Sequence, residues 1–135
     1  MSIHLLISKI PYFRQACVIT FSPHQVIGEN IRTGERCCFP RSSKHPRTLA
    51  GDFFSLEEEL KKAISELVPR KWIKSKILIC LDGLNEGGYT NIEKRAFREA
   101  GMGTGAMEVY LSDQIISHSQ AFELLVNGGT DLDNA

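Results

Sequence analysis

The chain has 135 residues, 42% of them hydrophobic and 24% charged, with 16 basic and 16 acidic side chains and a formal net charge of zero. That length fits one domain with an ordinary buried core. The balanced charge argues against a nucleic-acid binder, which carries a basic excess, and no apolar run approaches the roughly 20 residues that cross a bilayer.

Residues 1–14 form an N-terminal segment in which Ile3, Leu6, Ile7 and Ile10 recur at helical spacing before Pro11 interrupts them. Two readings of residues 2–10 stand. One is an amphipathic helix lying on a membrane surface. The other is a cover for the domain's own core or for a dimer partner, since Lys9 is the only basic residue before Arg14.

Residues 16–21 read as a short buried strand, residues 25–31 as a second strand weakened by Gly28, and residues 36–39 as a return strand after a Thr33-Gly34 turn. The stretch 41–47 is a polar loop with a basic cluster of Arg41, Lys44 and Arg47. Ser55 and Glu58 have capping-box spacing, and Leu56, Leu60, Ile64 and Leu67 then share one helical face. Residues 76–81 (Lys-Ile-Leu-Ile-Cys-Leu) read as a central strand buried on both faces.

The Gly-rich stretch 83–89 is a connection. A second capping box, Thr90 and Glu93, opens a helix expected to run to Ala100 and to stop at Gly101, Gly103 and Gly105. Residues 108–111 form another strand. Ser112 or Asp113 is expected to cap a last helix that carries Ile115, Phe122 and Val126 on one face, and residues 128–135 form a tail. Hairpin-linked strands followed by alternating helix and strand predict an α/β domain over residues 15–127, with helices packed on a mixed sheet.

Cys17, Cys37, Cys38 and Cys80 lack the paired spacing of a zinc site and read as reduced thiols of a cytoplasmic protein. Gly83-Leu84-Asn85-Glu86-Gly87-Gly88 lacks the Lys-Ser/Thr of a P-loop and the spacing of a dinucleotide fingerprint. Asp82 sits where α/β sheets bind ligands. His24 and His118 have no nucleophile partner in the pattern, and Ser117 and Ser119 are expected on different faces of a helix.

Two segments resemble the bacterial actin MreB family. The first runs from Gly51-Asp52-Phe53-Phe54 through the following helix to Ile79-Cys80-Leu81. The second is Ile92-Glu93-Lys94-Arg95-Ala96-Phe97-Arg98-Glu99, then Gly103-Thr104-Gly105-Ala106, then Glu108-Val109-Tyr110-Leu111. The second segment is similar, without a gap, to the family's Val-Glu-Arg-Arg-Ala helix, Gly-x-Gly-Ala turn and Arg-Glu-Val-Phe-Leu strand. The likeness extends by element order over residues 15–125 and is strong over 51–111. It implies the first lobe of the actin fold, a ribonuclease-H-like mixed sheet of five strands in the order 3-2-1-4-5, with strand 3 at an edge.

The departures bear on chemistry. The family's first phosphate loop reads Asp-Leu-Gly-Thr-Ala-Asn-Thr, and here Thr20-Phe21-Ser22-Pro23-His24-Gln25-Val26 stands in its place. Thr20 replaces the Asp that orients the magnesium shell. Ser22 replaces the Gly that lets the backbone approach phosphate, and Pro23 lacks a backbone N–H. Asp113-Gln114-Ile115 stands where the family has Glu-Glu-Pro, and the second phosphate loop and second lobe are absent from these residues. A ribonuclease-H nuclease built on Asp52, Asp82 and Asp113 would also need an Asp where Thr20 stands.

The resemblance therefore implies a non-catalytic binding or adapter domain with no cofactor and no metal, tied to a bacterial actin-like system in cell shape, division or envelope assembly. It implies a protein partner or a second copy and no nucleic acid, in the cytoplasm or at the inner face of the membrane. A degenerate copy or fragment of an ATP-dependent filament protein and a platform component of a pilus or secretion system are the alternatives. The residues expected to meet a partner are Cys37, Cys38 and Phe39 on the edge strand, with Arg41, Lys44 and Arg47 in the loop beyond it.

Overall fold

The computed structural model describes residues 15–41, 53–68, 75–82, 90–112 and 116–127. The N-terminal segment 1–14 and the tail 128–135 lie outside the described residues. The elements run β1 (Gln15–Phe21), β2 (Gln25–Asn30), β3 (Arg36–Pro40), α1 (Phe53–Leu67), β4 (Ser75–Leu81), α2 (Asn91–Met102), β5 (Glu108–Ser112) and α3 (His118–Asn127). The five strands form one sheet in the order β3-β2-β1-β4-β5, which is the order the resemblance implies. β1, β2 and β3 pair antiparallel through two hairpins, whereas β4 pairs parallel with both β1 and β5.

Alternation along the strands divides the core between the two faces of the sheet. Cys17, Ile19 and Phe21 of β1 and Ile77, Ile79 and Leu81 of β4 point to one face. They meet Leu56, Leu60, Ala63 and Leu67 of α1 and Phe97 and Ala100 of α2. Ala16 of β1 and Leu78 and Cys80 of β4 point to the other face and meet Ala121, Leu124 and Leu125 of α3. β4 is thus buried on both faces, as its unbroken apolar run predicts.

Three helix boundaries differ from the sequence reading. α1 begins at Phe53, so Ser55 lies within its first turn and is not the N-cap. Phe53 stands three residues before Leu56 and seven before Leu60, and it continues the helical period upstream. α2 starts as predicted: Thr90 Oγ1 accepts from Glu93 N–H at 3.1 Å, and Glu93 Oε1 accepts from Thr90 N–H at 3.1 Å. It runs past Gly101 to Met102. Gly101 is buried, and a Cβ there would lie 2.9 Å from Val109 Cγ1 and 3.2 Å from Ile77 Cδ1. Its smallness serves the approach of α2 to β4 and β5 and does not end the helix. The helix is capped at Gly103, whose N–H donates to Glu99 carbonyl at 2.9 Å, and the chain turns away at Gly105, with φ of 87°.

α3 is capped neither by Ser112, which is buried in β5, nor at Asp113, which lies outside the described residues. Ser117 N–H donates to Gln120 Oε1 at 3.0 Å, and Gln120 N–H donates to Ser117 Oγ at 3.2 Å. That is the reciprocal capping box, with Gln in the acidic position. Ile115 therefore precedes the helix. Among the described side chains of α3, the buried stripe is Ala121, Leu124 and Leu125.

Candidate functional site

The resemblance points to the β1–β2 hairpin, at the end of the sheet where an actin-like lobe would hold phosphate. The hairpin turns through Pro23 and His24. No described non-glycine residue has a positive φ, so this turn is not one of the primed types that match strand twist. Side chains hold it closed. Ser22 N–H donates to Gln25 carbonyl at 3.0 Å, the Ser22 hydroxyl donates to the same carbonyl at 3.0 Å, and Gln25 N–H donates to Ser22 Oγ at 3.2 Å.

Arg41 explains why the hydroxyl is recruited. Its Nη1 donates to the Ser22 carbonyl at 3.2 Å, and its Nε donates to Glu59 Oε2 at 2.8 Å. The guanidinium carbon lies 5.0 Å from the centroid of the Phe21 ring, within cation–π range. The side chains of this ion pair are 2% and 3% exposed. Phe21 in turn meets Phe97 of α2 edge to face, with centroids 5.2 Å apart.

Two of the turn's three backbone donors, those of Ser22 and Gln25, are thus committed, and that of His24 is not. Ser22 and Gln25 N–H groups are satisfied inside the turn, and Pro23 has none. Arg41, the cation that reaches the turn, is paired with a buried carboxylate. The arrangement works as a structural clamp joining the hairpin to α1, and it presents no anion cradle.

The expected partner-binding residues separate on inspection. Arg41, grouped in the sequence with a surface basic loop, is buried, because an arginine with a fixed carboxylate, a carbonyl and an aromatic face around it satisfies its charge inside. Lys44 and Arg47 lie outside the described residues. Phe39 faces α1 and is buried, with Lys62 Nζ 4.5 Å from its ring centroid. Cys37 is half-buried on the same face, and Cys38 is exposed on the other. Of that trio Cys38 is exposed, Cys37 is partly accessible and Phe39 is covered.

Of the remaining sequence candidates, Asp82, His24, Ser117 and Ser119 have described side chains. Asp82 is exposed, and its N–H donates to Phe21 carbonyl at 2.8 Å. Asp52, Asp113 and the stretch 83–89 lie outside the described residues. His24 is exposed on the hairpin tip. The Ser117 and Ser119 hydroxyls approach to 3.3 Å, closer than expected, because Ser117 is the cap and not a helical residue. Among the described residues no group of three or more His, Cys, Asp or Glu side chains could hold a metal ion. No described helix is long and apolar enough to cross a membrane.

Three of the thiols are shifted toward the protonated form. Burial pushes Cys17 up to about 12 and Cys80 up to about 11. Cys37 is also raised, by burial first and then by the nearby Glu66 carboxylate. A shallow cavity of about 150 Å³ opens on the α3 face between β1, β2 and β3, lined by Thr20, Ile27, Glu29, Arg36 and Ser117 among others. Glu29 and Arg36 are register partners across β2 and β3.

Two functional elements escaped the sequence reading. One is the Arg41–Glu59 pair, which joins residues 18 apart and has no local signature. The other is Asn30, whose Nδ2 donates to Leu67 carbonyl at 3.0 Å while its Oδ1 accepts from Arg32 and Thr33 N–H. It ties the β2–β3 turn to the C-terminus of α1. No protein-family model and no curated protein matches the chain.

Proposed function

We propose that the chain is a non-catalytic, ribonuclease-H-like first lobe of actin type that acts by binding proteins, as an adapter to a bacterial actin-like filament or an envelope-assembly complex. The observation that carries this reading is the clamped hairpin. The turn that would cradle phosphate in such a lobe spends its Ser22 and Gln25 backbone donors on itself and is pinned by a buried Arg41–Glu59 pair. The sheet order and the capped α2 support the lobe assignment. A lobe without nucleotide chemistry has its surfaces left for contacts, and β3, the outermost strand among the described residues, offers a sheet edge within residues 31–40 for a partner or for a second copy.

Affinity capture from the native cell tests the adapter role. The tagged full chain should retain an actin-like or envelope-assembly protein. Replacing Lys44 and Arg47 together by Glu, which reverses the charge of the loop, should deplete that protein while leaving the fold intact by circular dichroism. Capture restricted to copies of the chain itself would contradict the adapter reading and leave self-association standing.

A further inference from the structure

The free backbone groups of β3 can be assigned one by one. At one end of the β2–β3 ladder Arg41 N–H donates to His24 carbonyl, and at the other Asn30 N–H donates to Glu35 carbonyl. In an antiparallel pair, hydrogen-bonded and non-hydrogen-bonded partners alternate. With the register Val26–Phe39 and Gly28–Cys37, residues 35, 37, 39 and 41 turn their N–H and C=O groups toward β2. Arg36 and Cys38 turn theirs outward, and Pro40 adds a carbonyl with no N–H. Among the described residues β3 is the outermost strand at this edge.

We propose that β3 pairs antiparallel with β3 of a second copy, in the register that sets Cys37 opposite Cys37 of the second copy and joins the two sheets into one. The proposal names the occupant of the edge identified above and rests on the partner-binding reading for that edge. In this register Arg36 stands opposite Cys38 of the second copy, and the two residues exchange both N–H···O=C bonds. The two-fold axis repeats the exchange, so every outward donor and acceptor of Arg36 and Cys38 is satisfied. Sliding the strands to set Cys38 against Cys38 places Arg36 opposite Pro40, which cannot donate, and leaves the Arg36 carbonyl without a partner. Sliding the other way sets Arg36 against Arg36, a like-charge pair directly across the ladder.

Charge favours the same register. Glu35, Cys37 and Phe39 alternate onto the α1 face, and Glu35 is exposed. Pairing about Cys37 sets Glu35 opposite Phe39 of the second copy, whose ring carries the Lys62 ammonium at 4.5 Å. The carboxylate of each copy therefore meets the cation of the other. A two-fold interface of this kind is self-complementary and closes at the dimer.

Light scattering on the full chain over a range of concentrations, with Cys38→Pro beside it, tests the contact. Proline at 38 removes an outward N–H and leaves the β2–β3 ladder whole, a substitution edge strands accept. The wild-type chain should be a dimer, and Cys38→Pro should weaken it by about tenfold or more, the loss of one to two interfacial hydrogen bonds. Thiol mapping tests the register without a proline. Diamide oxidises two thiols to a disulfide, its azo bond taking up both hydrogens. Opposed non-hydrogen-bonded residues lie about 4.5 Å apart at Cα, at the short end of the disulfide range. At mildly alkaline pH, Cys38→Ser should still form the covalent dimer and Cys37→Ser should not. A wild-type chain that stays monomeric, a dimer whose dissociation constant is unchanged by Cys38→Pro, or cross-linking through Cys38 would each overturn the proposal. If Cys38→Pro does not fold, the thiol mapping alone decides. A monomeric chain that still captures an actin-like protein removes this inference and keeps the adapter reading.

Discussion

Replacing Arg41 by Ala is expected to lower the free energy of unfolding by about 3–5 kcal/mol, the range for breaking one partner of a buried ion pair. Two observations place the pair in that class. Both side chains are almost fully out of solvent, and Arg41 also serves the Ser22 carbonyl and the Phe21 ring. Removing the guanidinium leaves the Glu59 carboxylate buried without this cation. It also returns the Ser22 carbonyl to a turn whose hydroxyl has already taken the Gln25 N–H. Replacing both partners by apolar residues of similar size, Arg41→Met with Glu59→Leu, should recover most of the loss, because no charge then remains buried. Urea unfolding of the wild type, Arg41→Met, Glu59→Leu and the double substitution completes the cycle, with Arg41→Ala measured beside them. A loss below about 1 kcal/mol for Arg41→Ala, the value for an exposed pair, would mean that the hairpin is not clamped.

Phe97→Ala should cost a similar amount, about 3–5 kcal/mol, as for other large-to-small changes at buried aromatic positions. Phe97 is fully buried between α2 and the sheet and meets Phe21 edge to face. The same Phe21 ring lies beneath the Arg41 guanidinium. The two substitutions therefore share a partner, and their effects should not add. Phe97→Leu, which keeps most of the volume, should cost less than half as much. Equal losses for Ala and Leu would place the stabilisation in the aromatic contact instead of in filled space.

The strands were legible because their signals are local, whereas their order in the sheet was given only by the family resemblance. Apolar runs bounded by polar residues mark β1 and β4, Thr33-Gly34 marks the second hairpin, and Thr90 with Glu93 marks α2. The features that decide the site were not local. Arg41 sits in a stretch with Lys44 and Arg47, and composition alone makes it surface. Only the packing of β3 against α1 brings Glu59 to it. Phe39 and Cys38 are neighbours with opposite fates because strand alternation sends one under α1 and the other to solvent. At the ends of α1 and α3 several Ser and Asp residues competed for the cap, and the hydrogen-bonding reach of Gln120 selected Ser117. Gly101 read as a stop signal, whereas the closeness of Val109 and Ile77 makes it a packing residue.

The clamped hairpin makes a definite statement about nucleotide. Ser22 and Gln25 have no backbone donor to give, Pro23 has none at all, and Thr20 stands where an Asp would orient magnesium. Isothermal titration of the full chain with magnesium-ATP measures this at once. The expected result is no binding in the millimolar range or tighter, with heats equal to those of dilution. A clear binding isotherm that is lost when the Ser22–Gln25 turn is altered would contradict the non-catalytic reading and return the chain to the nucleotide-dependent filament proteins.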